Sequence, residues 1–361
     1  MIDSLKVIYH DHLVGRLAVG SDRLCRFEYS PFWLAEGFSI SPFELPLQNK
    51  VFTASSNPFE GGFGVFDDSL PDGWGLLVID RLLRKQGINP STLNLLDRLS
   101  IVGRNGRGAL EFYPDNDWVD MKTLTDLDKL AKEAEAILNN DEYYDGIEEF
   151  QYRGGSPGGA RPKIFTHFDG KEWLVKFPAR NDPADIGKTE FNYSLLAKEC
   201  GIIMPETRLF NNRYFGTERF DRKIDGSKLH VISMSGMLKA DYRIPSIDYL
   251  HIFKVAALLT GSTEELWKIY RLMVFNYLIG NKDDHSKNFA FIYDDDQWKF
   301  APAFDLLPSS GFNGFHTTTI NDNVAPTERD LLDVAVNSGL DKNQARSIYK
   351  SIKEIIRQTN L

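Results

Sequence analysis

The sequence has 361 residues, of which 42% are hydrophobic and 26% charged, a composition typical of a globular protein with two or three packed units. A formal net charge of −9 argues against binding nucleic acid through overall charge, and two distant cysteines, Cys25 and Cys200, argue against a disulfide framework or a zinc site. The N-terminus lacks a secretory signal and no segment is apolar enough to span a bilayer. We therefore expect a cytoplasmic protein that does not contact membranes.

The first part of the chain alternates short strand-like runs with helical segments. Runs between residues 7 and 30 predict a small antiparallel sheet. The motif LPDGWG at Leu70–Gly75 precedes an apolar helix that is predicted from about Leu76. A charged, Leu/Ala-rich helix is predicted over Thr123–Asn139, and the acidic loop Asp141–Glu149 suits a boundary between units.

A glycine-rich segment follows at Arg153–Lys163, with the sequence RGGSPGGARPK. Closely spaced glycines let the backbone approach phosphate oxygens and turn N–H groups toward them. The segment matches neither the Walker loop nor the dinucleotide-binding pattern, and on its own a flexible connector explains it as well.

The next residues predict a hairpin that carries a lysine. Ile164–Phe168 and Glu172–Phe177 are predicted as strands joined by a tight turn at residues 169–171. If Val175 and Phe177 face the core, Lys176 lies on the other face of the sheet. Protein kinases hold the α- and β-phosphates of ATP with a strand lysine of this kind, and an ordinary exposed lysine is the alternative.

A helix predicted over Asp185–Cys200 ends at Gly201 and carries Glu190 in its first turns. Kinases pair the strand lysine with a glutamate of the following helix, so Glu190 is the candidate partner of Lys176, with a solvated surface glutamate as the alternative. A later strand, Tyr214–Phe220, ends in Glu218-Arg-Phe, a candidate connector that lines an adenine pocket.

The strongest helical pattern leads into the most informative loop. Ser262–Glu265 is a capping-box sequence, and an apolar stripe continues to Gly280, which is predicted to end the helix. The loop Asn281–Asn288, with sequence NKDDHSKN, follows directly. Asp283 is thus predicted at the exposed tip of a loop that a buried helix holds, a suitable place for a catalytic base.

A second hairpin is predicted after this loop, with strands Phe289–Tyr293 and Trp298–Phe304. It is expected to bring Asn288 and Asp305 to the same open end. Their amide and carboxylate oxygens suit Mg²⁺ that bridges phosphates, with Asp283 taking the proton of a substrate hydroxyl.

Three neighbours of Asp283 have other candidate roles. Asp284 is a rival base, but its spacing to Asn288 is one residue short of the kinase pattern. His285 is interpreted as structural, placing the loop by a hydrogen bond. Lys287 either contacts the γ-phosphate or is solvated.

Together these motifs resemble the HipA family, serine/threonine-kinase toxins of bacterial toxin–antitoxin pairs. The similar segments are the motif LPDGWG, the glycine-rich SPGGARPK, the hinge ERFDR at Glu218–Arg222, the catalytic loop DDHSKN at Asp283–Asn288, and Phe304-Asp305. The resemblance implies an α+β, bilobal protein-kinase-like fold akin to phosphatidylinositol kinases, with an extra N-terminal β-rich subdomain and a mostly helical C-terminal lobe. The implied domains are residues 1–115, 116–220 and 221–361.

The resemblance also implies the cofactors ATP and Mg²⁺ and the roles of individual residues. ATP would contact the glycine-rich loop, the strand lysine and the hinge; Asp283 and Lys287 would act in catalysis; and Mg²⁺ would bind Asn288 and Asp305. The implied ATP-contacting residues are Ser156, Gly158, Gly159, Lys163, Lys176, Glu218 and Phe220. Ser156 would be autophosphorylated, which silences the kinase by adding charge to the phosphate-binding loop.

Family resemblance further implies a helix-turn-helix antitoxin of the HipB type, DNA contact only through that antitoxin, and an aminoacyl-tRNA synthetase among the possible protein targets. Three other readings remain open: a kinase that acts on a small molecule or lipid headgroup, an antitoxin-bound corepressor without activity, and a metal-dependent hydrolase built on Asp283, His285 and Asp305.

Overall fold

The structure is a computed structural model that describes residues 2–115, 126–139, 160–311 and 313–359. Two compact units form: unit one holds residues 1–188 and 207–230, and unit two holds residues 189–206 and 231–361. The three domains expected from the sequence stay a prediction.

Unit one begins with a five-stranded antiparallel sheet in the order β4-β3-β2-β1-β5. Its strands are β1 Ser4–Tyr9, β2 His12–Val19, β3 Cys25–Tyr29, β4 Phe52–Thr53 and β5 Leu110–Tyr113. Alternate side chains such as Leu5, Val7 and Phe27 are fully buried, as expected for strands with one face on a core. The sheet predicted between residues 7 and 30 is present.

Five helices accompany this sheet in the described part of unit one: α1 Pro31–Glu36, α2 Gly64–Asp67, α3 Gly73–Lys85, α4 Leu95–Val102 and α5 Leu127–Leu138. Helix α3 starts before the predicted Leu76, because burial of Trp74 extends it over two glycines of low helix propensity. Helix α5 lies inside the range predicted for it, and Asp126 caps it by accepting a hydrogen bond from the Lys129 backbone N–H at 2.9 Å.

A second antiparallel sheet of unit one has the order β6-β7-β9-β8. Its strands are β6 Lys163–Phe168, β7 Lys171–Lys176, β8 Thr207–Phe210 and β9 Tyr214–Glu218. Asp169 and Gly170 form the predicted turn between β6 and β7, both with positive φ. One face of the sheet forms a core with α3 and α5 that includes Trp74, Leu130 and Trp173.

Unit two is mainly helical. Its helices are α6 Ile186–Glu199, which begins in unit one, α7 Met234–Leu238, α8 Tyr249–Thr260, α9 Thr263–Ile279, α10 Glu328–Asn337 and α11 Lys342–Gln358. Its strands are β10 His230–Ser233, whose first residue belongs to unit one, β11 Ile247–Asp248, β12 Ala290–Asp294, β13 Gln297–Phe300 and β14 Thr318–Thr319. They form the sheet β10-β12-β13 and the parallel pair β11-β14. Gly201, after α6, has the predicted left-handed conformation, with φ +76°.

The capping box predicted at the start of α9 is wrong. Ser262 is the N-cap residue, but its side chain makes no capping hydrogen bond. Glu265 instead accepts hydrogen bonds from the Phe300 backbone N–H at 2.8 Å and from Lys268 Nζ at 2.5 Å. A tertiary contact with β13 has therefore replaced the local one. At the other end of α9, Gly280 has φ +70° and ends the helix as predicted.

Two bulk expectations concern membranes and cysteines. Within the described ranges, no helix combines the length and the apolar composition needed to cross a membrane. Cys25 and Cys200 are free and buried, and burial raises the pKa of each thiol to about 11. High thiol pKa values make both side chains poor nucleophiles near neutral pH.

Candidate functional site

Unit one places two lysines opposite each other on neighbouring strands. Lys163 and Lys176 are directly paired across β6 and β7 and are 4% and 8% exposed. Val175 and Phe177 are in the core, so Lys176 lies on the other face of the sheet, as predicted. Its ammonium group lies 5.5 Å from the ring centroid of Phe215. Reading Lys176 as an exposed strand lysine is therefore wrong.

Residues paired directly across two antiparallel strands share one face of the sheet, so the two ammonium groups lie on the same face. The two lysines thus give unit one a local positive charge that suits phosphate groups.

The described end of the glycine-rich segment is held by an ion pair within unit one. Arg161 contacts Asp182 with an N–O distance of 2.8 Å, and Asp182 also accepts from the Ala179 backbone N–H at 2.9 Å. Ser156, Gly158 and Gly159 lie outside the described residues, so their predicted contacts with ATP stay predictions.

The predicted hinge segment ends β9. Glu218 contacts Lys171 Nζ at 2.8 Å, so its carboxylate is engaged at the β6–β7 hairpin. Phe220 is half-buried, with the Arg107 guanidinium 5.9 Å from its ring centroid. Both residues belong to unit one, and their contact with ATP stays a prediction.

A buried charge cluster follows directly after Phe220. Asp221 accepts hydrogen bonds from Arg219 at 2.8 Å, from Arg222 at 2.9 Å and from the Gly108 backbone N–H at 2.7 Å. Both arginines also lie 3.3 Å from Glu172. Burial alone would raise the pKa of Asp221, but the two guanidinium groups and the hydrogen bonds hold that pKa well below its usual range. The cluster fixes the hinge segment against the loop that precedes β5.

Glu190 lies on α6 in unit two and is 4% exposed. Reading it as a solvated surface glutamate is therefore wrong. A buried carboxylate requires polar or charged partners. Its pairing with Lys176 stays a prediction.

The loop after α9 exposes one aspartate and buries the next. Asp283 is exposed. Asp284 is 1% exposed and accepts hydrogen bonds from the backbone N–H groups of Thr317 at 3.0 Å and Thr318 at 3.1 Å, and from His316 Nδ1 at 3.0 Å. These donors occupy the carboxylate of Asp284 and remove it as the rival base. Asp283 is left as the accessible carboxylate of the pair.

Asn288 forms a hydrogen bond with Asp283, the residue with which it is predicted to act. Its amide nitrogen donates to the backbone oxygen of Asp283 at 2.8 Å, so the amide oxygen is the atom that can coordinate a cation. The intervening Lys287 has its ammonium group 4.2 Å from the ring centroid of Tyr242. The His285 ring packs on the same tyrosine, with centroids 5.8 Å apart, and its buried Nδ1 has no hydrogen-bond partner among the described residues. The ring packs on Tyr242, and the hydrogen bond by which His285 is predicted to place the loop is not made by Nδ1 to any residue that the structure describes.

The predicted second hairpin is present but shorter than expected. Strand β13 ends at Phe300. The Ala301 backbone N–H still donates to the Ala290 oxygen of β12 at 2.9 Å, but the Ala303 backbone N–H donates to the Ile203 oxygen at 2.8 Å, so pairing with β12 does not continue to Phe304. Asp305 follows in a loop with φ +55°, a left-handed conformation that aspartate tolerates. Its backbone oxygen accepts from Asn281 Nδ2 at 3.3 Å, which ties Asp305 to the loop of Asp283 and Asn288.

The donors fit a magnesium ion that also binds nucleotide phosphates. The amide oxygen of Asn288 and the carboxylate of Asp305 are hard oxygen ligands, and Mg²⁺ commonly binds one or two protein oxygens together with substrate phosphates and water. In the ranges that the structure describes, no three His, Cys, Asp or Glu side chains are grouped to bind a metal ion. The hydrolase built on Asp283, His285 and Asp305 thus gains no support.

The sequence alone assigns no role to several polar residues that surround this loop in the structure. Asn276 interrupts the apolar face of α9, and His316–Thr318 lies in a segment without strong periodicity. A buried amide in an otherwise apolar helix is the signal that marks Asn276, because such groups require partners. Nothing local marks His316, whose partner Asp284 is distant in sequence.

Two family models match this chain. The model described as the HipA-like C-terminal domain matches residues 155–359, and the model described as the HipA N-terminal domain matches residues 5–113. The chain therefore contains both of the domains that these two models describe. The chain belongs to the HipA family, which confirms the resemblance read from its motifs.

Named relatives have low sequence identity to this chain, but the similarity covers most of its length. The serine/threonine-protein kinase toxin HipA of Shewanella oneidensis is 22% identical, with 98% of this chain and 89% of that protein covered. Two proteins of Sinorhizobium fredii named as candidate kinases, Y4dM and Y4mE, are 25% and 26% identical and cover 71% and 85% of this chain. The chain spans 64% of the length of Y4dM and 78% of Y4mE.

A solved structure with the same fold is the complex of Shewanella oneidensis HipA with HipB and its operator DNA, with a TM-score of 0.68 at 20% identity. The match covers 99% of this chain and 92% of that one. The mixed α/β fold of this chain is therefore that of HipA.

Proposed function

We propose that this chain is an ATP- and Mg²⁺-dependent serine/threonine-protein kinase and the toxin of a cytoplasmic toxin–antitoxin pair. The single observation on which the proposal rests is that, of two consecutive aspartates in the loop after α9, one is exposed and the other is buried. Asp283 is exposed beside Asn288, whereas Asp284 is buried and bonded to Thr317 and Thr318. A base, a magnesium ligand and a fixed loop are the parts that phosphoryl transfer requires.

On the nucleotide side, Lys163 and Lys176 supply positive charge for the α- and β-phosphates. Their direct pairing across β6 and β7 supports this role, because it puts both ammonium groups on one face of the sheet, where they attract anionic phosphates. The glycine-rich loop with Ser156, Gly158 and Gly159 would cover the phosphates, Glu218 and Phe220 would line the adenine, and Glu190 would pair with Lys176.

Asn288 and Asp305 would hold the magnesium ion. When bound, Mg²⁺ supplies charge neutralisation at the β- and γ-phosphates. The two residues contribute oxygen ligands, and the bond from Asn288 Nδ2 to the Asp283 backbone orients the amide oxygen away from that contact.

Asp283 accepts the proton of the substrate serine or threonine hydroxyl as that oxygen attacks the γ-phosphorus and the bond to the β-phosphate oxygen breaks. Lys287 has a hydrocarbon stem and an ammonium group that rests on Tyr242, which keeps its charge beside the loop for the γ-phosphate. The acceptor is a protein hydroxyl in this proposal, and Ser156 of the glycine-rich loop is one such acceptor.

The partner of the proposed toxin is a HipB-like helix-turn-helix antitoxin, with DNA bound only through that antitoxin. The fold shared with HipA in its complex with HipB and operator DNA supports this assignment. An aminoacyl-tRNA synthetase is the proposed class of protein target, on family resemblance.

Intact mass spectrometry after incubation with ATP and Mg²⁺ tests the kinase and its self-modification together. We expect the native chain to gain the mass of about one phosphoryl group, and Asp283→Ala and Ser156→Ala to gain none. The protein-kinase proposal is contradicted if the dephosphorylated native chain binds ATP but transfers phosphate neither to itself nor to any protein of a bacterial lysate. Phosphate on a metabolite would then favour a small-molecule kinase, and absence of ATP binding would favour a corepressor.

A further inference from the structure

A continuous network of buried polar side chains lies beneath the loop after α9, all within unit two. At its centre, Tyr249 on α8 accepts a hydrogen bond from Asn276 Nδ2 at 3.0 Å and donates to the Asp284 carboxylate at 3.5 Å. Tyr249 is fully buried, and Asn276 and Asp284 are 2% and 1% exposed. Burying this many polar groups is costly unless every member is bonded, so the network requires a specific geometry.

One end of the network holds the catalytic loop to the segment around β14. Oδ1 of Asp284 accepts from the Thr317 and Thr318 backbone N–H groups, and the Thr318 hydroxyl donates back to the Asp284 backbone oxygen. His316 Nδ1 donates to Oδ2 of the same carboxylate. The backbone oxygen of Lys282 accepts from Thr317 N at 3.1 Å. The residues on both sides of Asp283 are therefore fixed to one strand segment.

The other end reaches the proposed magnesium segment. Asn281 Nδ2 donates to Asn276 Oδ1 at 3.0 Å and to the Asp305 backbone oxygen at 3.3 Å. Close by, Ser309 N donates to the Gly280 oxygen, and Lys282 N donates to Ser309 Oγ. One amide group thus links α9, the loop and Asp305.

We propose that Asn281 and Asp284 are positioning residues that set Asp283, Asn288 and Asp305 in register by joining both segments to Tyr249 and Asn276. The roles of those three reacting residues rest on the proposed kinase function. Neither Asn281 nor Asp284 contacts substrate in this proposal. Each acts by fixing the backbone on which a reacting side chain stands, in the way that outer-shell partners orient metal ligands.

Amide hydrogen exchange tests the network without any need for activity. The variants are Asn281→Ala and Asp284→Ala, with Val334→Ala in α10 as a control that leaves a cavity elsewhere in the same unit. If the network acts as one unit, each of the two variants accelerates exchange at both ends, at Lys282 and Ser309 and also at Thr317 and Thr318. Val334→Ala is expected to accelerate exchange in α10 and α11 instead. The proposal is overturned if each variant accelerates amide exchange only next to its altered side chain and not at the other end of the network.

The magnesium requirement of phosphoryl transfer tests the positioning role. Asn281→Ala is expected to raise the half-saturating Mg²⁺ concentration about 10- to 100-fold, whereas Val334→Ala leaves it unchanged. Asp284→Asn keeps the shape and one acceptor oxygen, so it should retain more activity than Asp284→Ala; equal loss in both overturns the positioning role. A native chain that transfers no phosphate overturns the proposed function, while the exchange pattern still decides whether the network holds the two segments together.

Discussion

Replacing Asp283 with alanine is expected to slow phosphoryl transfer by about 10²- to 10⁴-fold, the usual contribution of a general base. Asp283 is exposed on a loop whose backbone is fixed by its buried neighbour Asp284, so its removal should leave the fold and ATP affinity unchanged. The measurement is a single-turnover assay with ATP labelled at the γ-phosphate. A titration of ATP and a urea unfolding curve on the same preparation complete the comparison.

Asp296→Asn is the matched control for Asp283→Ala. Asp296 is an exposed aspartate in the turn between β12 and β13 of the same unit. We expect this variant to transfer phosphate at the native rate. Native activity in Asp283→Ala would contradict the role of Asp283, and a parallel loss of stability would show that the loss of rate has another cause.

The second large effect concerns the buried cluster after β9. Asp221→Ala is expected to destabilise unit one by about 3–5 kcal/mol, because it leaves the charges of Arg219 and Arg222 buried without their main partner. That amount is a large fraction of the stability of an ordinary domain. Urea unfolding measures it as a lower midpoint of the transition of unit one.

Two comparisons separate charge from volume in this cluster. Asp221→Asn keeps the volume and is also expected to destabilise unit one, since its amide would point a donor at a guanidinium group. Asp225→Ala removes an exposed aspartate of the following turn and should leave the midpoint near native. A native-like midpoint for both Asp221 variants would contradict the account of the cluster.

The lowered pKa of Asp221 also determines how its contribution to folding stability changes with pH. A carboxyl group whose pKa lies below the ordinary 3.8 in the folded state stabilises the protein above that value. The contribution is then lost as the pH falls through the lower, folded-state pKa. The stability difference between the native chain and Asp221→Asn should therefore be constant near neutral pH and shrink only in strong acid.

Motif spacing predicted the parts of the site that are local in sequence. The β6–β7 hairpin with Lys176, the end of α9 at Gly280 and the exposed Asp283 all depend on turns, glycines and periodicity within a few residues. The family was also predictable, because several specific motifs occur in one order.

Long-range contacts limited the remaining predictions. The Ser262 capping box failed because Glu265 bonds the β13 backbone, and the return strand of the second hairpin ended early because Ala303 bonds Ile203. Burial of Lys176 and Glu190 and the partnership of Asp284 with His316 likewise depend on distant segments. Tertiary contacts override local preference at such positions, and a single sequence does not display them.

Calorimetric titration of ATP into the dephosphorylated chain, with and without Mg²⁺, tests the central claim most directly. We expect Mg²⁺ to tighten ATP binding in the native chain. Lys176→Met should weaken that binding by about 10- to 100-fold, the loss of one charge-assisted phosphate contact, while Lys223→Met on an exposed turn of the same unit should bind ATP as the native chain does. An affinity for ATP that neither Mg²⁺ nor Lys176→Met alters, or no binding at all, would contradict a kinase site built on these residues.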